Sequence, residues 1–183
     1  MPPTGSTSPR PVWASGFRNV QALQWHPATG ELFVAEHGPS GMEQEVMRRG
    51  DDELDVVVPD GDYGWPHVTG RQPRAGTRAP LHLWPVAIAP AGLSIHAGQF
   101  EAWRGDAIVG GLRGTTLRRV DLERRGDAWI VAGETRLLDD RHGRIRAVAT
   151  GPDGALYVTT SNRDVRGRAG PHDDLLLRLT PAR

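Results

Sequence analysis

Along most of the chain, apolar positions come in short runs of about four to seven residues, each bounded by glycine, proline or charged residues. Val, Ile, Leu, Trp and Tyr dominate these runs, as they do in β-strands. The pattern predicts strands over residues 21–25, 31–36, 53–58, 107–111, 116–122, 129–132, 145–150, 155–160 and 175–180. Several alternate, as in Leu117-Arg118-Arg119-Val120-Asp121-Leu122, where only some side chains can face a core. No apolar stripe with a 3.6-residue period runs beyond about ten residues. The fold class is all-β.

An internal repeat narrows the architecture. Residues 20–36 align with residues 145–160, with one extra residue in the first turn as the only gap. Both copies read strand, turn with Pro and Gly, strand, which is a hairpin. A weaker third copy starts at Gly92-Leu93-Ser94-Ile95 and resumes at Asp106-Ala107-Ile108-Val109-Gly110, with residues 100–105 in its connection. Three copies of a roughly four-stranded unit predict about three blades of a β-propeller over residues 11–183, behind a disordered lead-in at 1–10. Closed rings have about four to eight blades. The expectation is therefore a fragment, one partner of a split protein, or a protomer completed by pairing.

Charge and composition change this picture little. Lys+Arg and Asp+Glu are 22 each, so no charge excess points to nucleic acid or an anionic membrane. Cysteine is absent, which excludes disulfides, thiolate metal sites and a Cys nucleophile. No apolar run reaches the roughly 18 residues of a membrane span, and no signal peptide is visible.

Candidate chemistry sits at the strand ends. Glu36-His37-Gly38-Pro39 closes the second strand, where Gly and Pro expose carbonyl oxygens suited to calcium; the alternative is a plain turn. Asp51-Asp52-Glu53-Leu54-Asp55 lacks the spacing of an EF-hand loop. Glu53 and a carbonyl of the Tyr63 turn can still meet at a calcium ion; otherwise the cluster is a charged turn on a solvated rim. Arg144 and Arg146, two apart at a strand start, are expected on one face. With Arg18 and Arg113 they form either a cage for a multiply charged anion or a set of solvated surface arginines.

Taken in order, Arg18-Asn19-x-Gln21, Glu36-His37-Gly38-Pro39, Asp52-Glu53-Leu54 and Tyr63-Gly64-Trp65-Pro66 resemble the glucose/sorbosone dehydrogenase family. So do Trp103-Arg104-Gly105, Leu112-Arg113-Gly114, Arg144-x-Arg146 and the run from Gly151 to Val158. The resemblance implies a six-bladed propeller, of which this chain matches the C-terminal half, binding pyrroloquinoline quinone (PQQ) and calcium and oxidising aldose sugars. It implies that Arg18, Asn19 and Gln21 lie near quinone and substrate, that Arg113 contacts the cofactor, and that Arg144 and Arg146 hold its carboxylates. Gly38 and Pro39 correspond to carbonyl ligands of a calcium on the quinone, Glu53 and Tyr63 to a second, structural calcium, and Trp84 to the pocket lining. A sugar, an external electron acceptor and a periplasmic or secreted location follow from the same resemblance.

The departures are Val20 and Ala22 flanking Gln21, Asp55 where Asn often follows Asp-Glu-Leu, and a lengthened loop at 42–50. The family's proton-abstracting histidine lies in an earlier blade, so the general base is expected outside this chain and the isolated chain is expected to be inactive or very weak. The alternatives are a propeller-derived binding or scaffold module and a calcium-dependent lactonase-like propeller. Neutral lactones give no use for so many arginines.

Overall fold

The computed structural model describes residues 12–39 and 50–182. The expected lead-in at 1–10 and all but the last residue of the 42–50 loop lie outside them. Among the described residues, eleven strands are β1 (Val20–Trp25), β2 (Leu32–Glu36), β3 (Asp52–Val57), β4 (His82–Trp84), β5 (Pro90–Ile95), β6 (Ala107–Gly111), β7 (Thr116–Arg125), β8 (Ala128–Leu137), β9 (Ile145–Thr150), β10 (Leu156–Thr160) and β11 (Leu176–Leu179). They form antiparallel sheets β1-β2-β3-β4, β5-β6-β7-β8 and β9-β10-β11. The all-β propeller arc expected from the repeat is present, with three strands rather than four in the third described sheet.

The two aligned hairpins differ as their sequences do. The first turn is closed by His26 N–H on Glu31 O at 2.8 Å, the other by Gly151 N–H on Ala155 O at 2.9 Å. The extra residue of the first copy is absorbed inside that turn. The weaker third copy is β5–β6, whose connection carries a short 3-10 turn at Glu101–Trp103. Three-residue β4 is the strand that neither the apolar runs nor the repeat predicted, being too short for a periodicity; β5 was anticipated only through the weaker repeat copy.

Blades pack face to face. Phe33, Ala35 and Leu54 of the first meet Leu93, Ile95, Ala107 and Val109 of the second. Ile108 and Leu117 of the second meet Ile145, Val148, Leu156 and Val158 of the third. Because β2 and β6 are covered on both sides, their sequences are almost unbroken apolar runs rather than alternations. The other face of β2 and β3 carries Val34 and Val57, packed with Tyr63, Ala14 and Phe17.

β1, β5 and β9 are the adjacent inner strands. Gly92 permits the approach of β5 to β9, since a Cβ there would lie 2.6 Å from Val148 N and 2.8 Å from Ala147 Cα. A glycine is required by proximity, not by φ.

Candidate functional site

The segments singled out by sequence meet at one end of the arc. Arg18 and Asn19 precede β1, and His37 to Pro39 follow β2. His37 N–H donates to Asn19 O at 3.1 Å, and His37 Nε2–H donates to Pro90 O, at the start of β5, at 2.8 Å. Leu112 and Arg113 follow β6, and the Arg144 guanidinium, just before β9, donates to Leu112 O at 3.3 Å. The three blades are thus tied together at the strand ends that carry these residues.

Each inner strand opens with a β-bulge. Val20 pairs with Glu36 and Ala22 with Ala35, which leaves Gln21 as the extra residue. Ile145 pairs with Thr160 and Ala147 with Thr159, which leaves Arg146. In β5 the corresponding residue is Ala91. A bulge interrupts the two-residue alternation and re-aims the side chain it carries. Gln21 and Arg146 are exposed.

This separates Arg144 from Arg146. The expectation that both occupy one face by simple alternation fails because Arg144 lies before the strand and Arg146 on its bulge. Arg144 bridges Ser161 O at 3.1 Å and Asp164 Oδ2 at 2.8 Å. Arg146 lies close enough to His37 for its charge to help lower that imidazole's pKa, although burial of His37 is the larger cause. Arg113 is exposed. The Arg18 guanidinium donates to His37 O at 3.3 Å and lies 5.6 Å from the Trp65 ring centre. The Gln21 amide donates to Asn19 Oδ1 at 2.7 Å.

Trp84 is elsewhere. It lies on β4, the outermost strand of the first blade, is buried among the interblade apolar residues, and donates from Nε1 to Glu134 Oε2 at 2.9 Å. The expectation that it lines a cofactor pocket is corrected: its indole fills the core and its polar edge is already paired.

Gly38, Pro39, Glu53 and Tyr63, expected as two separate calcium sites, line one narrow cavity together with Glu36, Arg18 and Trp65. Pro39 O accepts from Gly50 N–H at 3.1 Å, and a carbonyl oxygen has a second lone pair for a cation. The Tyr63 ring stacks on Phe17 at 4.4 Å, and its hydroxyl donates to Val56 O at 2.6 Å. That fixes the turn whose carbonyl was expected to bind metal.

The acidic cluster is a strand, not a solvated rim. Asp52, Glu53, Leu54 and Asp55 are all buried in β3. Asp52 accepts from Gly38 N–H at 2.9 Å and from Ile88 and Ala89 N–H at 2.8 Å each, pinning the loop after β2 to the segment before β5. Glu53 and Asp55 occupy the opposite face by alternation. Glu53 pairs directly with Glu36 across the ladder, and Asp55 pairs with Val34 one step along the same face. Like charges opposite one another are unfavourable. Burial raises the pKa of Glu36 and lifts Glu53 to about 8. It raises Asp55 well above the ordinary carboxylate range, with Glu53 and Glu36 adding to the shift. Glu36, Asp52 and Asp55 stood within the sequence motifs but were given no site role there. The signal available was charge at i and i+2 within an apolar strand facing a glutamate at the end of its partner.

Four of the seven histidines are engaged or lie away from this end. His37 commits Nε2–H to Pro90. His26 and His96 are buried near the opposite ends of their strands, and His82 is bound to Glu134 at the outer edge.

The sequence model of the family described as Glucose / Sorbosone dehydrogenase matches residues 2–176. The aldose sugar dehydrogenase YliI of Escherichia coli is 32% identical over 163 residues, covering 81% of this chain and 40% of that protein. A Thermus thermophilus structure described as an oxidoreductase (glucose dehydrogenase) is 48% identical with a TM-score of 0.81, covering 91% of this chain and 46% of that one. The PQQ-bound aldose sugar dehydrogenase of Streptomyces coelicolor is 32% identical with a TM-score of 0.77, covering 97% and 48%. The chain spans about half the length of the relatives it matches.

Proposed function

Since the chain belongs to the glucose/sorbosone dehydrogenase family, we propose that it forms the cofactor-carboxylate and calcium side of a PQQ-dependent aldose dehydrogenase. The observation that carries this reading is the convergence of Arg18, Gln21, Arg113, Arg144 and Arg146 at one end of three linked blades. An anion with several carboxylates needs several fixed cations, and arginine forks match carboxylates two bonds at a time.

Arg146 and Arg113, exposed at this end, would grip the cofactor's carboxylates. Arg144, held by Asp164 and two carbonyls, would add fixed positive charge behind them. Arg18, Asn19 and Gln21 would orient the reacting edge, with Asn19 holding the Gln21 amide. When bound, the quinone supplies the acceptor for a hydride from the sugar's anomeric carbon. A calcium ion on the Gly38 and Pro39 carbonyls would serve as Lewis acid, and Glu53 with the Tyr63 carbonyl would hold a second. The accompanying proton from the sugar hydroxyl needs a base, which the family resemblance places in an earlier blade. That role falls to a residue supplied by the rest of the ring, so this chain alone binds quinone without appreciable turnover. An external acceptor would reoxidise the cofactor, and a periplasmic or secreted setting suits that chemistry.

Calorimetric titration of the chain with PQQ, in calcium and then in chelator, tests the reading. Calcium-dependent binding that weakens in Arg146→Ala supports it. No binding by a chain that is folded by circular dichroism overturns it and favours a scaffold module.

A further inference from the structure

We propose that Glu36, Glu53 and Asp55 together form one binding site for a hard cation of the calcium class, with Asp55 as an anionic ligand. The proposal rests on the reading that Glu53 holds a cation and extends that site to two further side chains.

Each of the three carboxylates offers an oxygen within 4.8 Å of the others. That is the widest separation of two oxygens on opposite sides of an ion at about 2.4 Å, a calcium–oxygen distance. The second observation is Asp55 itself. The residue is 1% exposed, and neither of its side-chain oxygens has a hydrogen-bond partner. A buried carboxylate with both oxygens unmatched is costly, and an ion or ordered water is the usual resolution. Here two more carboxylates converge on it, so a water would leave the repulsion unrelieved while a cation removes both costs at once.

The donors decide the class of ion. All three are hard oxygens with no imidazole or thiolate among them, which disfavours zinc and copper. The cavity beside them is narrow, and magnesium keeps several of its waters. Calcium sheds water more readily and tolerates irregular ligand sets.

The position gives the ion a structural consequence. Glu36 Oε2 also accepts Arg18 N–H at 2.8 Å and Asn19 N–H at 3.0 Å. One carboxylate thus links the cation to the backbone that carries two of the proposed quinone-side residues.

The test is a quinone-free titration of the 183-residue chain with calcium, followed by heat stability, and with terbium, followed by its luminescence. Trp65, beside Glu36 and Glu53 on the same cavity, serves as the antenna. The expected result is one tight site that magnesium displaces poorly. Glu53→Gln should abolish binding, and Asp55→Asn should weaken it at least tenfold. In chelator, Asp55→Asn should melt higher than the wild type, because no carboxyl there is forced by burial to hold a proton that it sheds on unfolding, yet gain little from calcium. Binding lost in Glu53→Gln but unchanged in Asp55→Asn and Glu36→Gln overturns the three-carboxylate site and leaves the Glu53–Tyr63 calcium standing. No binding by folded wild-type chain overturns both. Neither outcome bears on the arginines, which the PQQ titration tests separately.

Discussion

Gln21 and Arg146 hold the same place in their blades: each is the extra residue of the β-bulge that opens an inner strand. The strands are the two halves of the internal repeat, so the bulge repeats with the sequence. Two chemically different side chains are brought by one backbone device to the same end of the arc. The middle blade has the same bulge with Ala91, which offers no polar group.

Arg146→Ala should weaken PQQ binding by about ten- to a hundredfold, the worth of one or two charge-assisted hydrogen bonds. Arg136→Ala, removing an outer-strand arginine paired with Asp139, should change it less than twofold. Calorimetry on both variants checks the difference; equal affinities would remove Arg146 from the site.

Without a cation, the stability of the chain should fall as pH rises. Unfolded Glu53 ionises near 4.5, whereas the folded residue keeps its proton to about 8. Below about 4.5 both states are protonated and the contribution is fully present. Between 4.5 and 8 the unfolded state loses the proton first, so stability drains away through that window. Asp55, also raised, acts in the same direction. Urea midpoints in chelator should decline from pH 5 to pH 8, and millimolar calcium should flatten or reverse the slope. Glu53→Gln, with no carboxyl to titrate, should decline less steeply over the same range; identical profiles for it and the wild type would contradict the burial of Glu53.

Asp52→Asn should cost about 3 kcal/mol, since an amide cannot accept from both sets of N–H donors and turns its own NH₂ toward one of them. The affected donors are Gly38 on one side and Ile88 and Ala89 on the other. Chemical denaturation gives the loss. Quinone affinity should fall as well, because the Gly38–Pro39 loop is no longer pinned.

Gly92→Ala should destabilise by about 1–3 kcal/mol by overpacking. The added Cβ meets backbone, which has no rotamer to change. Gly126→Ala is the counterpart with open space around it, though its φ of 62° carries a separate strain. Amide exchange of β5 and β9 should quicken in Gly92→Ala and stay unchanged in Gly126→Ala.

How far the sequence could be read follows from what each feature depends on. Strand positions and the hairpin repeat were legible because residues 20–36 and 145–160 bury side chains at fixed intervals around a short turn. β4 was not, because three residues hold no period, and its indole at Trp84 reads equally as core or pocket. The arginines were legible as a set. Their geometry was not: the bulge at Arg146 depends on how β9 pairs with β10.

The order of residues alone determined the all-β class, the blades, and the charged and carbonyl groups available at the strand ends. Those properties are local, fixed by side-chain chemistry and by periods of two. The tertiary structure decided which of those groups meet. Glu36, Glu53 and Asp55 become neighbours only through the β2–β3 register. Asp55 becomes an unpartnered carboxyl that holds its proton only because the packed sheet, with Val34 opposite it on the ladder, buries it. Register and burial are properties of the packed sheet, since they depend on residues far apart in the chain.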